Sequence, residues 1–163
     1  MRNFLEKTRF YIPHLLILLV IANDSLLINT WIAPGPIINL KYILLFYFCF
    51  YQPDRISVIS LFLLGLVFDS LQSTPLGMTS LCFIVASKLI YFLKKRRTRA
   101  NFQNEFISFG IVLAAVQILT LIIFYYFSKT SPEYSLLIIN TILTLALYPL
   151  FRYILQFFYR YQI

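Results

Sequence analysis

Apolar residues along this chain come in long uninterrupted runs, and short breaks rich in proline, polar or basic residues separate them. A helix needs about 20 apolar residues to cross the hydrocarbon layer of a bilayer. The pattern predicts six helices, at about 11–31, 37–51, 56–71, 76–93, 104–127 and 135–158. The second and third are short, with Tyr51-Gln52-Pro53-Asp54-Arg55 between them. That proline and charge pair mark a turn at a water interface. One helix over 37–71 would be more than ~50 Å long at about 1.5 Å per residue, so two helices are the better reading. No break is long enough to hold a soluble domain, and residues 1–163 read as a single transmembrane domain.

Composition sharpens this picture. The chain is 60% hydrophobic and 12% charged, with a mean hydropathy of +0.80. Soluble domains average about 25% charged residues, and at this length one soluble core could not bury so much apolar surface. The expected class is therefore an all-α integral membrane protein. The first apolar run is longer than the core of a signal peptide, and it reads as an uncleaved helix.

Net charge is +8, which in a soluble protein would raise nucleic-acid binding. Here the cations sit between apolar runs and act on orientation instead, because Lys and Arg are retained on the cytoplasmic side. Placing both termini in the cytoplasm puts eleven of the fourteen Lys and Arg residues on that side. Among them is the basic loop Lys94, Lys95, Arg96, Arg97 and Arg99. Lys88 lies six residues before Lys94, so its stem can snorkel to the same interface. The lipid bilayer is an expected partner, and nucleic acid is not.

Three charges fall within apolar runs near the opposite face. Asp24 and Asp69 each lie 13 residues past the start of their segments, and Lys41 lies near the start of its own. Asp24, Lys41 and Asp69 could form an intramembrane ionic cluster, in which pairing offsets part of the desolvation cost. The competing reading keeps Asp24 and Lys41 apart at the interface, while Asp69 caps the amides of the turn that follows it. No nucleophile stands beside a base and no residues have metal-ligand spacing. A non-enzymatic protein without cofactor or metal is expected.

The most informative stretch is Phe62-Leu-Leu-Gly65-Leu-Val-Phe-Asp69, followed by Pro75-Leu76-Gly77. Gly65 lets another helix approach closely one turn below Asp69. Pro75 and Gly77 suit a rigid turn that opens the next helix. With Pro53 ahead of it and Leu147-Tyr148-Pro149-Leu150-Phe151-Arg152 near the end of the chain, this stretch resembles the MreD family of rod shape-determining inner-membrane proteins. In that family a glycine often stands just before Pro-Leu-Gly, where this chain has Ser73-Thr74.

The resemblance implies a membrane scaffold of the bacterial cell-elongation machinery, which builds peptidoglycan. It implies a multi-pass protein of the inner membrane, with a fold similar to the substrate-binding subunits of energy-coupling-factor transporters. Implied partners are an MreC-like single-span protein and, directly or indirectly, MreB, RodA and a class B penicillin-binding protein. Gly65, Asp69, Pro75, Leu76 and Gly77 would then be a partner-binding or structural motif. The alternative is a transporter subunit for a small molecule, with Asp24 and Asp69 in its site.

Overall fold

The computed structural model describes residues 39–53, 56–72, 74–96, 101–128 and 134–160. These residues form five helices and no strand: α1 Leu40–Tyr51, α2 Val58–Gln72, α3 Met78–Arg96, α4 Phe102–Ser128 and α5 Tyr134–Arg160. The predicted segment 11–31 lies outside the described residues.

Local chemistry sets the helix ends. α1 stops before Gln52-Pro53, since a residue preceding proline is pushed out of the helical region. Gln52 leaves the helical region at φ −136° and ψ 59°, and its amide still donates to Phe48 O at 2.8 Å. Ser57 opens α2: its Oγ accepts the Ser60 amide at 3.1 Å, the bond expected of an N-cap. The last turn of α3 carries Lys94, Lys95 and Arg96, where cations favour the negative end of the helix dipole. Glu105 sits in the first turn of α4, where the dipole favours an anion. Pro149 lies inside α5 and gives up one intrahelical bond there.

Helix length supports the expectation of six spans only in part. α4 and α5 have 27 residues each, about 40 Å at 1.5 Å per residue. Both contain windows long and apolar enough to cross a membrane, Phe102–Tyr126 and Leu137–Phe157. α1 and α2 have 12 and 15 residues, only about 18 and 22 Å, short of the ~30 Å hydrocarbon layer. α3, with 19 residues, has a length near a span but a more polar sequence. Among the described residues, two helices rather than five meet both conditions.

α1 explains the shortfall. Its eight consecutive residues Tyr42–Cys49 are all buried, as expected of a helix that is apolar on every side and enclosed by others. It packs on α3 and α5, while α2 packs on α3, α3 on α4 and α4 on α5. Asn39, just before α1, donates its amide to Thr144 Oγ1 at 3.1 Å. Thr144 is fully buried and lies seven residues, about 10 Å, inside the apolar window of α5. α1 therefore begins within the bundle, and the Thr144 hydroxyl satisfies one of the amides that a helix start leaves open.

The outside of the bundle is apolar. Ile59, Leu63, Val67 and Leu71 project outward from α2, and Ile118, Ile122, Tyr125 and Tyr126 from α4. Only 28% of the α4 window and 11% of the α5 window is buried. The core helix of a soluble protein would be mostly buried, so these two present their apolar faces outward.

Candidate functional site

Two buried carboxylates stand at opposite ends of the bundle. Asp69 is fully buried in the last turns of α2. Its Oδ2 accepts the Gly77 amide at 2.8 Å, and its Oδ1 accepts the Thr79 amide and the Thr74 hydroxyl, each at 3.1 Å. α3 starts at Met78, so a side chain from α2 caps the start of α3. Such amides are unpaired within their own helix, and the positive end of its dipole adds to the attraction.

The glycines make this closure possible. Gly77 has φ +94°, in the left-handed region that side chains disfavour. At Gly65, a Cβ atom would lie 2.4 Å from Ser80 Cα and 2.5 Å from Ser80 N. No real Cβ comes so close to backbone, so α2 and α3 meet main chain to main chain here. The Ser80 hydroxyl crosses the same contact and donates to Phe62 O at 2.9 Å.

The sequence motif therefore divides. Gly65, Asp69, Pro75 and Gly77 lie together in the α2–α3 hairpin, with the Met78 amide donating to Pro75 O at 3.1 Å. Leu76 is 74% exposed and projects from the tip of the turn. Lys41 on α1 places its Nζ 3.6 Å from the centre of the Phe68 ring, beside Asp69 in sequence. Asp24 lies outside the described residues, as do Arg97 and Arg99 of the basic loop. Of the remaining loop cations, Lys94 donates to Phe50 O at 2.6 Å and Arg96 stacks 4.5 Å from the Phe92 ring centre.

The second carboxylate, Glu105, was not among the predicted site residues. It is 5% exposed and forms an ion pair with Arg152, Nε to Oε1 at 3.0 Å. Tyr51 donates to Oε2 at 2.8 Å, and Tyr148 donates to Oε1. Arg152 and Gln156 also donate to the Tyr51 oxygen, at 3.2 and 3.4 Å. One acidic side chain thus ties α1, α4 and α5 together. Tyr148 is aimed by packing: its ring stacks on Phe109 at 4.2 Å and meets Phe46 edge-on at 5.6 Å. The available signal was that Glu105 and Arg152 carry opposite charges at the same predicted end of two apolar segments.

Both carboxylates have their oxygens occupied by protein donors. Such an arrangement fixes helices relative to one another. Among the described residues, no three His, Cys, Asp or Glu side chains are grouped as a metal site. No protein-family model, curated protein or solved structure matches this chain.

Proposed function

We propose that the chain is a non-enzymatic membrane scaffold similar to the MreD family, an assembly subunit of a bacterial cell-elongation machinery. In this reading it lies in the inner membrane with six helices and both termini in the cytoplasm, and its hairpin end faces outward. The observation that carries the reading is the use of Asp69. A charge in an apolar helix is a candidate for transport chemistry, yet here its oxygens are taken up in closing a turn. A carboxylate used this way shapes a surface, which is the property a scaffold needs. The outward-facing apolar residues of α2 and Leu76 at the hairpin tip supply contact area for a partner's membrane segment.

The transporter reading requires Asp69 to face an open cavity, and its complete burial favours the scaffold instead. Detergent extraction of the tagged chain together with an MreC-like single-span protein tests the proposal. Co-purification that survives washing, and is lost in Asp69→Asn protein that still inserts, is the expected result. Absence of co-purification with the unaltered chain sinks it.

A further inference from the structure

The basic end of the bundle holds a groove of about 210 Å³ between three helices. Cys49 and Pro53 at the end of α1, Ile56 and Val58 ahead of and within α2, and Lys88 and Tyr91 of α3 line it. Val58, Lys88 and Tyr91 are exposed, so the groove opens on the outer surface of the bundle.

The cations around it are not equivalent. Lys94 and Arg96 are engaged by Phe50 O and the Phe92 ring. Lys88 and Lys95 are exposed, and neither has a hydrogen bond or ion pair among the described residues. They are one heptad apart on α3, about 10 Å along the axis, and so share a face with Tyr91 between them. Lys88 stands ten residues from the start of α3 and six before Lys94, which places it about 9 Å from the basic end. An unpaired ammonium at that depth, on an apolar surface, is costly in lipid unless it reaches water or an anion.

We propose that this groove binds an anionic glycerophospholipid, its headgroup phosphate held by Lys88 and Lys95 and its upper acyl chain lying along Ile56 and Val58. Charge complementarity selects this occupant. Lys88 lines a largely apolar groove, Lys95 follows one heptad on along the same face of α3, and neither has an ion pair among the described residues. An anionic lipid joins a phosphate to an apolar chain. Snorkelling alone explains a lysine that reaches bulk water, but not a groove of this shape beneath it. The proposal rests on the membrane-embedded reading of the bundle.

The purified full chain in detergent micelles is titrated with phosphatidylglycerol or with phosphatidylcholine of the same acyl chains, and retained lipid is read by native mass spectrometry. Phosphatidylglycerol is expected to be retained more strongly, and Lys88→Gln to weaken it about fivefold, the scale of one lysine acting on an anionic headgroup. Lys88→Arg retains the preference, and Arg96→Gln, outside the groove, weakens it less than Lys88→Gln does. Equal retention of the two lipids, or an unchanged Lys88→Gln protein, overturns the site. Inorganic phosphate retained by the lipid-free chain at millimolar concentration, without any phosphatidylglycerol preference, assigns the site to a free anion and overturns the lipid. Flotation with phosphatidylcholine vesicles separates the premises. A chain that floats without the lipid preference loses the site alone, and a chain that does not float loses the membrane reading with it.

Discussion

Asp69 and Glu105 are both buried carboxylates in an apolar bundle, yet they are held in opposite ways. The donors to Asp69 lie five to ten residues away in sequence, two of them backbone amides. The donors to Glu105 lie 43 to 54 residues away, and all are side chains, one of them a guanidinium. Asp69 therefore folds one hairpin, whereas Glu105 fastens three helices that meet only in the finished bundle. A local carboxylate can act as soon as its turn forms. The long-range one completes its contacts after α1, α4 and α5 have come together.

The strongest way to break the hairpin end is to fill Gly65. Its missing Cβ faces the Ser80 backbone, which cannot move without shifting α3. Gly65→Ala should destabilise by about 1–3 kcal/mol or more, the cost of overpacking, and Gly65→Leu should prevent the hairpin from closing. Thermal unfolding in detergent, followed by loss of helical circular dichroism, reads both. Equal midpoints for the two variants would show that the close approach is not what requires glycine.

At the other end, Arg152→Ala leaves Glu105 buried with only tyrosine and no cation. Breaking a buried pair costs about 3–5 kcal/mol, and the partial exposure of Arg152 argues for the lower part of that range. Adding Glu105→Gln to Arg152→Ala should restore much of the loss, because the unpaired charge is then gone. If the double variant is as unstable as the sum of the singles, Glu105 and Arg152 do not act as a pair.

These two ends also differ in how readable they are. Gly65, Asp69, Pro75 and Gly77 lie within 13 residues, and each has a local reason for its identity: close approach, capping, a fixed φ and a left-handed φ. That hairpin could be seen in the sequence, apart from the choice between an ionic cluster and a cap. The Glu105 site could not, since its partners sit in separate helices whose apposition no local pattern encodes. α1 was hard to read for a different reason. In a chain whose interior and exterior are both apolar, the run Tyr42–Cys49 looks the same whether lipid or protein surrounds it. Proline breaks located its ends, but only packing against α3 and α5 shows that it is enclosed.

Asp69→Asn tests the comparison without changing shape. The amide keeps one acceptor oxygen. With its NH2 at the Oδ2 position Gly77 N loses its bond, and with its NH2 at the Oδ1 position Thr79 N keeps only its 3.2 Å bond to the other oxygen and faces a donor. A loss of about 2 kcal/mol is expected, within the cost of an unsatisfied buried donor. The thermal midpoint should fall while the protein still enters the membrane fraction. A midpoint equal to that of the unaltered chain would mean that the carboxylate charge does not hold the start of α3.

Thr74→Val should have the smallest effect and locates where the strength of the hairpin resides. It removes one hydroxyl, 3.1 Å from Asp69 Oδ1, and keeps the β-branched shape. Oδ1 still accepts the Thr79 amide, and the Thr74 amide still donates to Asp69 O at 3.2 Å. No group is left unsatisfied, so the loss should be about 1 kcal/mol or less. Tyr148→Phe is the matched change at Glu105, one hydroxyl removed with the ring left in its aromatic setting. It should cost about 1.5–3 kcal/mol, because Tyr148 is fully buried and its hydroxyl donates to an ionised acceptor that also holds Arg152. If Thr74→Val proves the more damaging, the hairpin depends on its side-chain hydroxyl rather than on backbone amides. The contrast between a main-chain cap and a side-chain clasp would then not hold.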